Sequence, residues 1–459
     1  MRRLLLAVIL CAACGDDNPG PSTPGTIDDK LAALEGVSVE MIPTSTAGYQ
    51  FFVLRFEQPV DHDNPSGPKF QQRVSLLHKI ETAPMVALTS GYWDYYGDHP
   101  YELTSLIGAN QISIEHRYFG ESRPANPDWS KLTIEQMAND EHVIITKLRS
   151  VYEGAFVTTG GSKGGMTAIY HRRFFPDDVE GTVPYVAPIS FGAPDLRYLP
   201  FLDTLGPQTC RQAVRAAATE MLQNRRAQLT AKAAAQATAE GYAYTRITLD
   251  PAVEGSITSI EWAFWQYSGV QFCPSVPPVS ATDDEMFEFL DAVSPVSDNS
   301  DERIAEFEAY YYQAYEQLGY PDSAPAYLDP FMMYTDADYD AALPTAVPAY
   351  DQGAAMADID TFVKQRGNRL LFVYGEWDPW TGGKFDLGGA TDSLLLVQAQ
   401  GTHGSRLARL ASADRAAAFA KIEAWTGVAP ALPQIAFGAH EPREPRVPPV
   451  MLRALRSRP

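Results

Sequence analysis

Phe156-Val157-Thr158-Thr159-Gly160-Gly161-Ser162-Lys163-Gly164-Gly165-Met166 decides the reading of this chain. A β-branched run ends at glycines, a serine stands between Gly160 and Gly164, and residues 167–173 read as a helix that stops before Pro176. Strand, sharp turn and helix in that order form the bend known as a nucleophile elbow. A serine at such a bend is held in strained backbone, and neighbours without a Cβ let strand and helix close beneath it. The motif alone is too short to separate a reactive serine from an ordinary strand-to-helix turn. The decision falls to the rest of the chain.

Outward from the elbow, short apolar strands alternate with helix-like segments. Residues 49–56 and 71–80 partly alternate, as in two antiparallel strands joined through the turn Asp61-His62-Asp63-Asn64-Pro65. Met85–Thr89, residues 111–116, the elbow strand and residues 182–186 follow as short buried strands, with a helix expected over 134–149. Beyond Pro188 the strand signals stop. Residues 191–354 carry an alanine-rich helical run over 211–240, the aromatic segment Glu261-Trp262-Ala263-Phe264-Trp265-Gln266-Tyr267 and a helix over 302–318. Strands return at 369–374 and 393–397, and a last helix over 412–425 ends at Gly427. This order predicts an α/β fold with a mostly parallel sheet, its core at 36–190 and 355–432, and an inserted, mainly helical cap at 191–354. The aromatic segment reads chiefly as cap core.

The 459 residues suit one large α/β domain with an inserted subdomain. Fifty-seven acidic against 36 basic side chains leave a formal charge of -21, which argues against a nucleic-acid partner and against attraction to anionic lipid. The chain opens with Met1-Arg2-Arg3, an apolar run from Leu4 to Leu10, and Cys11-Ala12-Ala13-Cys14-Gly15. That is an export signal over 1–13, too short to span a membrane. Its form resembles a lipoprotein signal cut before Cys14, the expected lipidation site and only membrane attachment; plain secretion is the alternative. Residues 14–35 read as a flexible tether and 433–459 as an irregular, proline-rich tail. Of four cysteines, Cys210 and Cys273 remain after the signal, and in an exported protein such a pair is expected to form a disulfide. Neither has the neighbours that a zinc site needs, so no metal is expected.

A serine nucleophile needs a base and an acid that orients the base, in the chain order Ser, Asp or Glu, His for this topology. His171, His403 and His440 follow Ser162. His171 sits on the helix leaving the elbow and cannot point back, and His440 is in the tail. His403 lies in Gly401-Thr402-His403-Gly404, directly after an apolar strand. The acid belongs at the end of the preceding strand, where Tyr374-Gly375-Glu376-Trp377-Asp378-Pro379-Trp380 offers Asp378, with Glu376 as competitor; Pro379 fixes the turn behind Asp378. An oxyanion requires donors as well. The Lys163 backbone N–H is one, and by analogy with the fold the Tyr92 N–H, in Ser90-Gly91-Tyr92-Trp93-Asp94, is the second.

The elbow, Glu115-His116-Arg117-Tyr118-Phe119-Gly120-Glu121-Ser122 and residues 374–380 together resemble the secreted bacterial prolyl tripeptidyl aminopeptidases. They are more distantly similar to lysosomal Pro-Xaa carboxypeptidase and its dipeptidyl-peptidase relative. The resemblance spans about 51–427, and the lysine after the serine places it with the bacterial branch. It implies an α/β-hydrolase with a helical cap that hydrolyses peptides near a terminus, often after proline, with Ser162, Asp378 and His403 as triad and no cofactor. Glu115 and Arg117 read as a partly buried ion pair that holds their loop.

Substrate contacts are less constrained. Trp93, Trp377, Trp380 or Trp262 could wall a proline slot, and Glu261, Asp94 or Asp98 could meet a peptide amino group. Trp377 stands where the resembling family carries a polar residue. The remaining alternatives are an esterase or polyesterase with the same triad, and a surface binding protein on a retired hydrolase fold.

Overall fold

The computed structural model describes residues 25–322, 325–342 and 349–432, together with Pro442, Pro445 and Arg446. The expected signal, Cys14 and nearly all of the expected tail lie outside the described residues. So does His440.

A nine-stranded sheet runs β1-β2-β3-β5-β4-β6-β7-β8-β9. β1 (Val37–Ile42), β2 (Gln50–Pro59) and β3 (Lys69–His78) form an antiparallel edge, and β3 joins β5 (Asn110–Ile114) antiparallel. From there the sheet is parallel through β4 (Met85–Thr89), β6 (Phe156–Gly161), β7 (Gly181–Tyr185), β8 (Leu371–Gly375) and β9 (Leu394–Gln398). Every residue of β4, β5, β6, β7 and β8 is buried. Parallel strands are covered on both faces, so β4 and β8 read as apolar runs and the polar residues of the others are themselves buried. On one face the helix Ile134–Leu148 packs against Lys163–Phe174, which in turn meets Ala354–Arg366. On the other, Trp425 of the helix Ser412–Thr426 packs with Val157, Val183 and Val373 of the sheet. The strand order, the elbow and the covering helices make this an α/β-hydrolase fold.

Two expectations need correction. Val37–Ile42 is a strand that the sequence did not single out, on the sheet edge and half exposed. The segment expected as tether is also ordered in part: Thr26 and Asp29 cap the helix Ile27–Ala32 reciprocally, and Ile27 and Leu31, one turn apart, are buried against the sheet.

Between β7 and Ala354 the described residues hold helices and no strand of the sheet. The alanine-rich run is two helices, Gln208–Glu220 and Arg226–Glu240, separated by the π turn Met221–Arg225. The segment expected as one helix over 302–318 is broken at Phe307. A disulfide joins Cys210 to Cys273. Phe264 and Trp265 are fully buried in a cluster that also holds Tyr92 and Ile169, so the cap and the sheet's upper face share one core.

Candidate active site

Ser162 follows the last residue of β6 with φ 52° and ψ -123°, backbone that an L-residue rarely adopts, and its N–H donates to Tyr185 O at 2.9 Å. The bend survives because nothing projects beneath it. A Cβ on Gly160 would come within 2.4 Å of the Gly164 carbonyl carbon, and one on Gly164 within 2.3 Å of Thr89 O. Ser162 is thereby held at the N-terminus of the helix Lys163–Phe174, where unpaired N–H groups and the helix dipole favour negative charge.

β8 and β9 deliver the other two residues. Asp378 is fully buried; its carboxylate accepts the Trp380 N–H at 3.2 Å, capping the turn Pro379–Gly383, and lies 2.7 Å from His403 Nδ1. Glu376 is exposed and accepts the Gln400 N–H at 2.7 Å, so of the two acids Asp378 is the one bonded to the imidazole. The His403 loop is pinned on both sides. Its own N–H donates to Gln266 O of the cap at 2.9 Å. Just downstream, Leu407 and Ala408 donate their N–H groups to the buried Glu102 carboxylate at 3.0 and 2.9 Å. Burial raises the Glu102 pKa, with the Arg406 charge opposing. His171 instead faces Asp178 at 3.0 Å, in a separate, part-buried group with His142.

Ser162 lines a cavity beside Trp262, Tyr267, Tyr310 and Trp380. His403 lines an adjoining one, and the two share Tyr267, Val293 and Arg446. The Tyr267 and Trp380 rings stand 6.1 and 6.5 Å from the His403 ring.

A match to the peptidase S37 description (PS-10 peptidase S37) extends over residues 22–444. The chain belongs to the peptidase S37 family. It is therefore a serine peptidase. Prolyl tri/tetrapeptidyl aminopeptidase of Streptomyces mobaraensis is 36% identical over 458 residues, covering 97% of this chain and 95% of the relative. Mouse lysosomal Pro-X carboxypeptidase is 30% identical over 190 residues, 36% of this chain and 38% of that protein. Among solved structures, the peroxisomal alpha-beta-hydrolase Lpx1 of Saccharomyces cerevisiae aligns at 13% identity and TM-score 0.35, over 87% of this chain and 92% of that one.

In this S37 peptidase the loop after β4 is tied to the elbow by side chains. Lys163 Nζ, 3% exposed as a residue, donates to Gly91 O at 2.6 Å and lies 5.5 and 5.3 Å from the Tyr92 and Phe119 ring centroids. Burial pushes its ammonium well below the ordinary lysine range, against the Glu141 charge. The Lys163 N–H opens the elbow helix, whereas the Tyr92 N–H already donates to Ser90 Oγ at 3.2 Å. The Tyr92 donor is thus shared rather than open.

The Glu115–Arg117 ion pair does not form. Glu115 accepts from Asp94 N–H at 2.9 Å and from the Ser122 N–H and hydroxyl at 2.8 Å each, joining its loop to the β4 loop. Arg117 instead grips Asp140 bidentately at 2.6 and 2.8 Å, both side chains fully buried. Residues two apart diverge here, and the partner, Asp140, comes from the helix Ile134–Leu148, with no local pattern to announce the pairing.

The expected substrate contacts sort unevenly. Trp262 and Trp380 line the Ser162 cavity, and Trp93, Trp377 and Glu261 do not. Trp93 packs on Phe307, Trp377 on Trp265, and Glu261 is buried in an ion pair with Arg215 at 2.8 Å. Asp94 accepts from Ser113 and Asp98 from Thr44, each at 2.7 Å and away from the cavity. Sequence reasoning missed Gln266, Ser294, Asp298 and Tyr310. Among the described residues no group of histidine, cysteine, aspartate and glutamate could hold a metal ion, and no helix is long and apolar enough to cross a membrane.

Proposed function

We propose that this chain is an exported serine exopeptidase that releases short, proline-ended peptides from peptide N-termini through an acyl-enzyme on Ser162. The observation that carries the reading is the 2.7 Å contact of His403 Nδ1 with buried Asp378, beside an aromatic cavity that Ser162 lines. With Nδ1–H held by the carboxylate, Nε2 is left to accept the serine proton. Ser162 Oγ bonds to the scissile carbonyl carbon as its proton passes to His403. The oxyanion is met by the Lys163 N–H and by the Tyr92 N–H, which exchanges its 3.2 Å bond to Ser90 Oγ for a charged acceptor. The C–N bond then breaks, and the leaving amine takes the proton from His403. Water attacks the acyl-enzyme by the same route in reverse and frees the peptide acid.

Trp262, Trp380 and Tyr310 supply flat apolar walls suited to a proline ring. Supporting N-terminal release, the Streptomyces relative is named a tri/tetrapeptidyl aminopeptidase. Export with lipidation at Cys14 completes the proposal, and the intact mass of the mature N-terminus tests it. For the activity, Ala-Ala-Pro-p-nitroanilide is compared with short acyl esters on the native protein and on Ser162→Ala. Amide turnover that falls about 10⁴-fold or more in the variant is expected. Turnover of esters alone, or amide turnover unchanged in the variant, overturns the reading.

A further inference from the structure

The cavity beside Ser162 carries a carboxylate that the triad does not use. Asp298 lies in the short 3-10 turn Val296–Asn299, between the cap helices Asp283–Val293 and Asp301–Glu306. Its side chain is 13% exposed, and among the described lining residues it is the one acid. Its ion pair with Arg303 is long, at 3.8 Å from Nε, beyond hydrogen-bond reach. A buried carboxylate in an apolar cavity is costly unless a donor arrives to pair it.

A second group points the same way. Ser294, 2% exposed, lines the same cavity, and its Oγ has no hydrogen-bond partner among the described residues. An unpaired buried hydroxyl is costly, and a ligand donor removes that cost. Third, a cation of the chain already stands in this cavity. Arg446 lines it with its guanidinium 4.6 Å from the Tyr267 ring centroid, and its charge is among those that lower the Asp298 carboxyl against the burial that raises it.

A peptide's free α-ammonium brings one positive charge and three N–H donors, matching a carboxylate and a hydroxyl acceptor. An N-acylated peptide brings a neutral amide with one N–H and added bulk, leaving the carboxylate to its long contact with Arg303. We infer that Asp298, together with Ser294 Oγ, binds the free α-ammonium of the substrate. This deepens, and rests on, the serine-exopeptidase reading of the same site.

Binding separates the two claims. In the Ser162→Ala background, calorimetry compares Ala-Ala-Pro with N-acetyl-Ala-Ala-Pro, with and without Asp298→Asn. The free tripeptide is expected to lose about 10²-fold in affinity with Asp298→Asn, while the acetylated one changes less than about 3-fold. Ser294→Ala, the smaller change should Asp298→Asn fail to fold, is expected to cost the free tripeptide about 3–10-fold and the acetylated one nothing. Equal losses for both peptides overturn the inference. On Ser162-intact protein, Ala-Ala-Pro-p-nitroanilide should lose kcat/KM in Asp298→Asn while fluorophosphonate labelling proceeds at the native rate. An unlabelled Ser162 with free-tripeptide binding still dependent on Asp298 defeats the peptidase mechanism and leaves the ammonium site standing.

Discussion

Asp378→Asn isolates what the buried carboxylate does for His403. The carboxylate receives two donors, the His403 ring at 2.7 Å and the Trp380 N–H at 3.2 Å. An asparagine of nearly the same shape offers one acceptor oxygen and one NH₂. The Trp380 N–H is a backbone donor fixed by the turn Pro379–Gly383, so the amide oxygen goes to it and the NH₂ faces Nδ1. Nδ1 must then accept, and the ring proton moves to Nε2, the atom that has to receive the serine proton. The expected loss is about 10⁴-fold in kcat, or about 5.5 kcal/mol of barrier. Both hydrogen bonds survive with one reversed, so folding stability should change by less than about 2 kcal/mol. Hydrolysis of Ala-Ala-Pro-p-nitroanilide and thermal unfolding, measured on one preparation, give the two numbers. A kcat within tenfold of the native value in a folded variant refutes the tautomer argument and the acid's assignment with it.

Three further outcomes follow from the surroundings of the site. Glu102→Ala strands the Leu407 and Ala408 N–H groups in a buried place, and urea unfolding should show a loss of about 2–4 kcal/mol, with reduced turnover because these residues hold the His403 loop. Arg117→Ala leaves Asp140 charged, buried and without its bidentate partner, at about 3–5 kcal/mol; lysine restores only part, since it lacks the fork. Burial, with Asp291 and Glu306, raises the Asp298 carboxyl to about 6 while Arg303 and Arg446 lower it. The carboxylate is therefore lost as pH falls through about 6, and a peptide α-ammonium is lost above about 8. The affinity of Ser162→Ala for Ala-Ala-Pro should be greatest between those values, weakening about tenfold per unit on the acid side, with N-acetyl-Ala-Ala-Pro flat throughout.

The parts of the fold that were legible are those fixed by local physics. Short runs rich in apolar and β-branched residues, flanked by turn residues, marked β4, β6, β7, β8 and β9 to within about two residues; β4, β6, β7 and β8 are covered on both faces, and β9, at the sheet edge, is half-buried. Asp378 and His403 were legible for a related reason: both sit where an apolar strand runs out into a loop above the sheet. β1 escaped because its Val-Ser-Val-Glu-Met-Ile alternation is half exposed and follows a segment read as tether. The cavity walls escaped for a different cause. Trp377 and Trp380 are three apart, yet only Trp380 reaches the cavity, because a distant cap ring, Trp265, takes up Trp377. Asp298, in Pro295-Val296-Ser297-Asp298-Asn299, reads as a solvated turn until the flanking helices are folded over it. Lys163 carries both kinds of signal. Its place after the serine was legible, while its bond to Gly91 O across the mouth of the sheet needed the fold.

The most direct test of the central claim is covalent labelling. The native protein is treated with a fluorophosphonate, digested, and the modified peptide sequenced by mass spectrometry. The account predicts one modified residue, Ser162, with labelling abolished in Ser162→Ala and strongly slowed in Asp378→Asn. Modification at another serine, or native protein left unlabelled while it hydrolyses peptide amides, contradicts it.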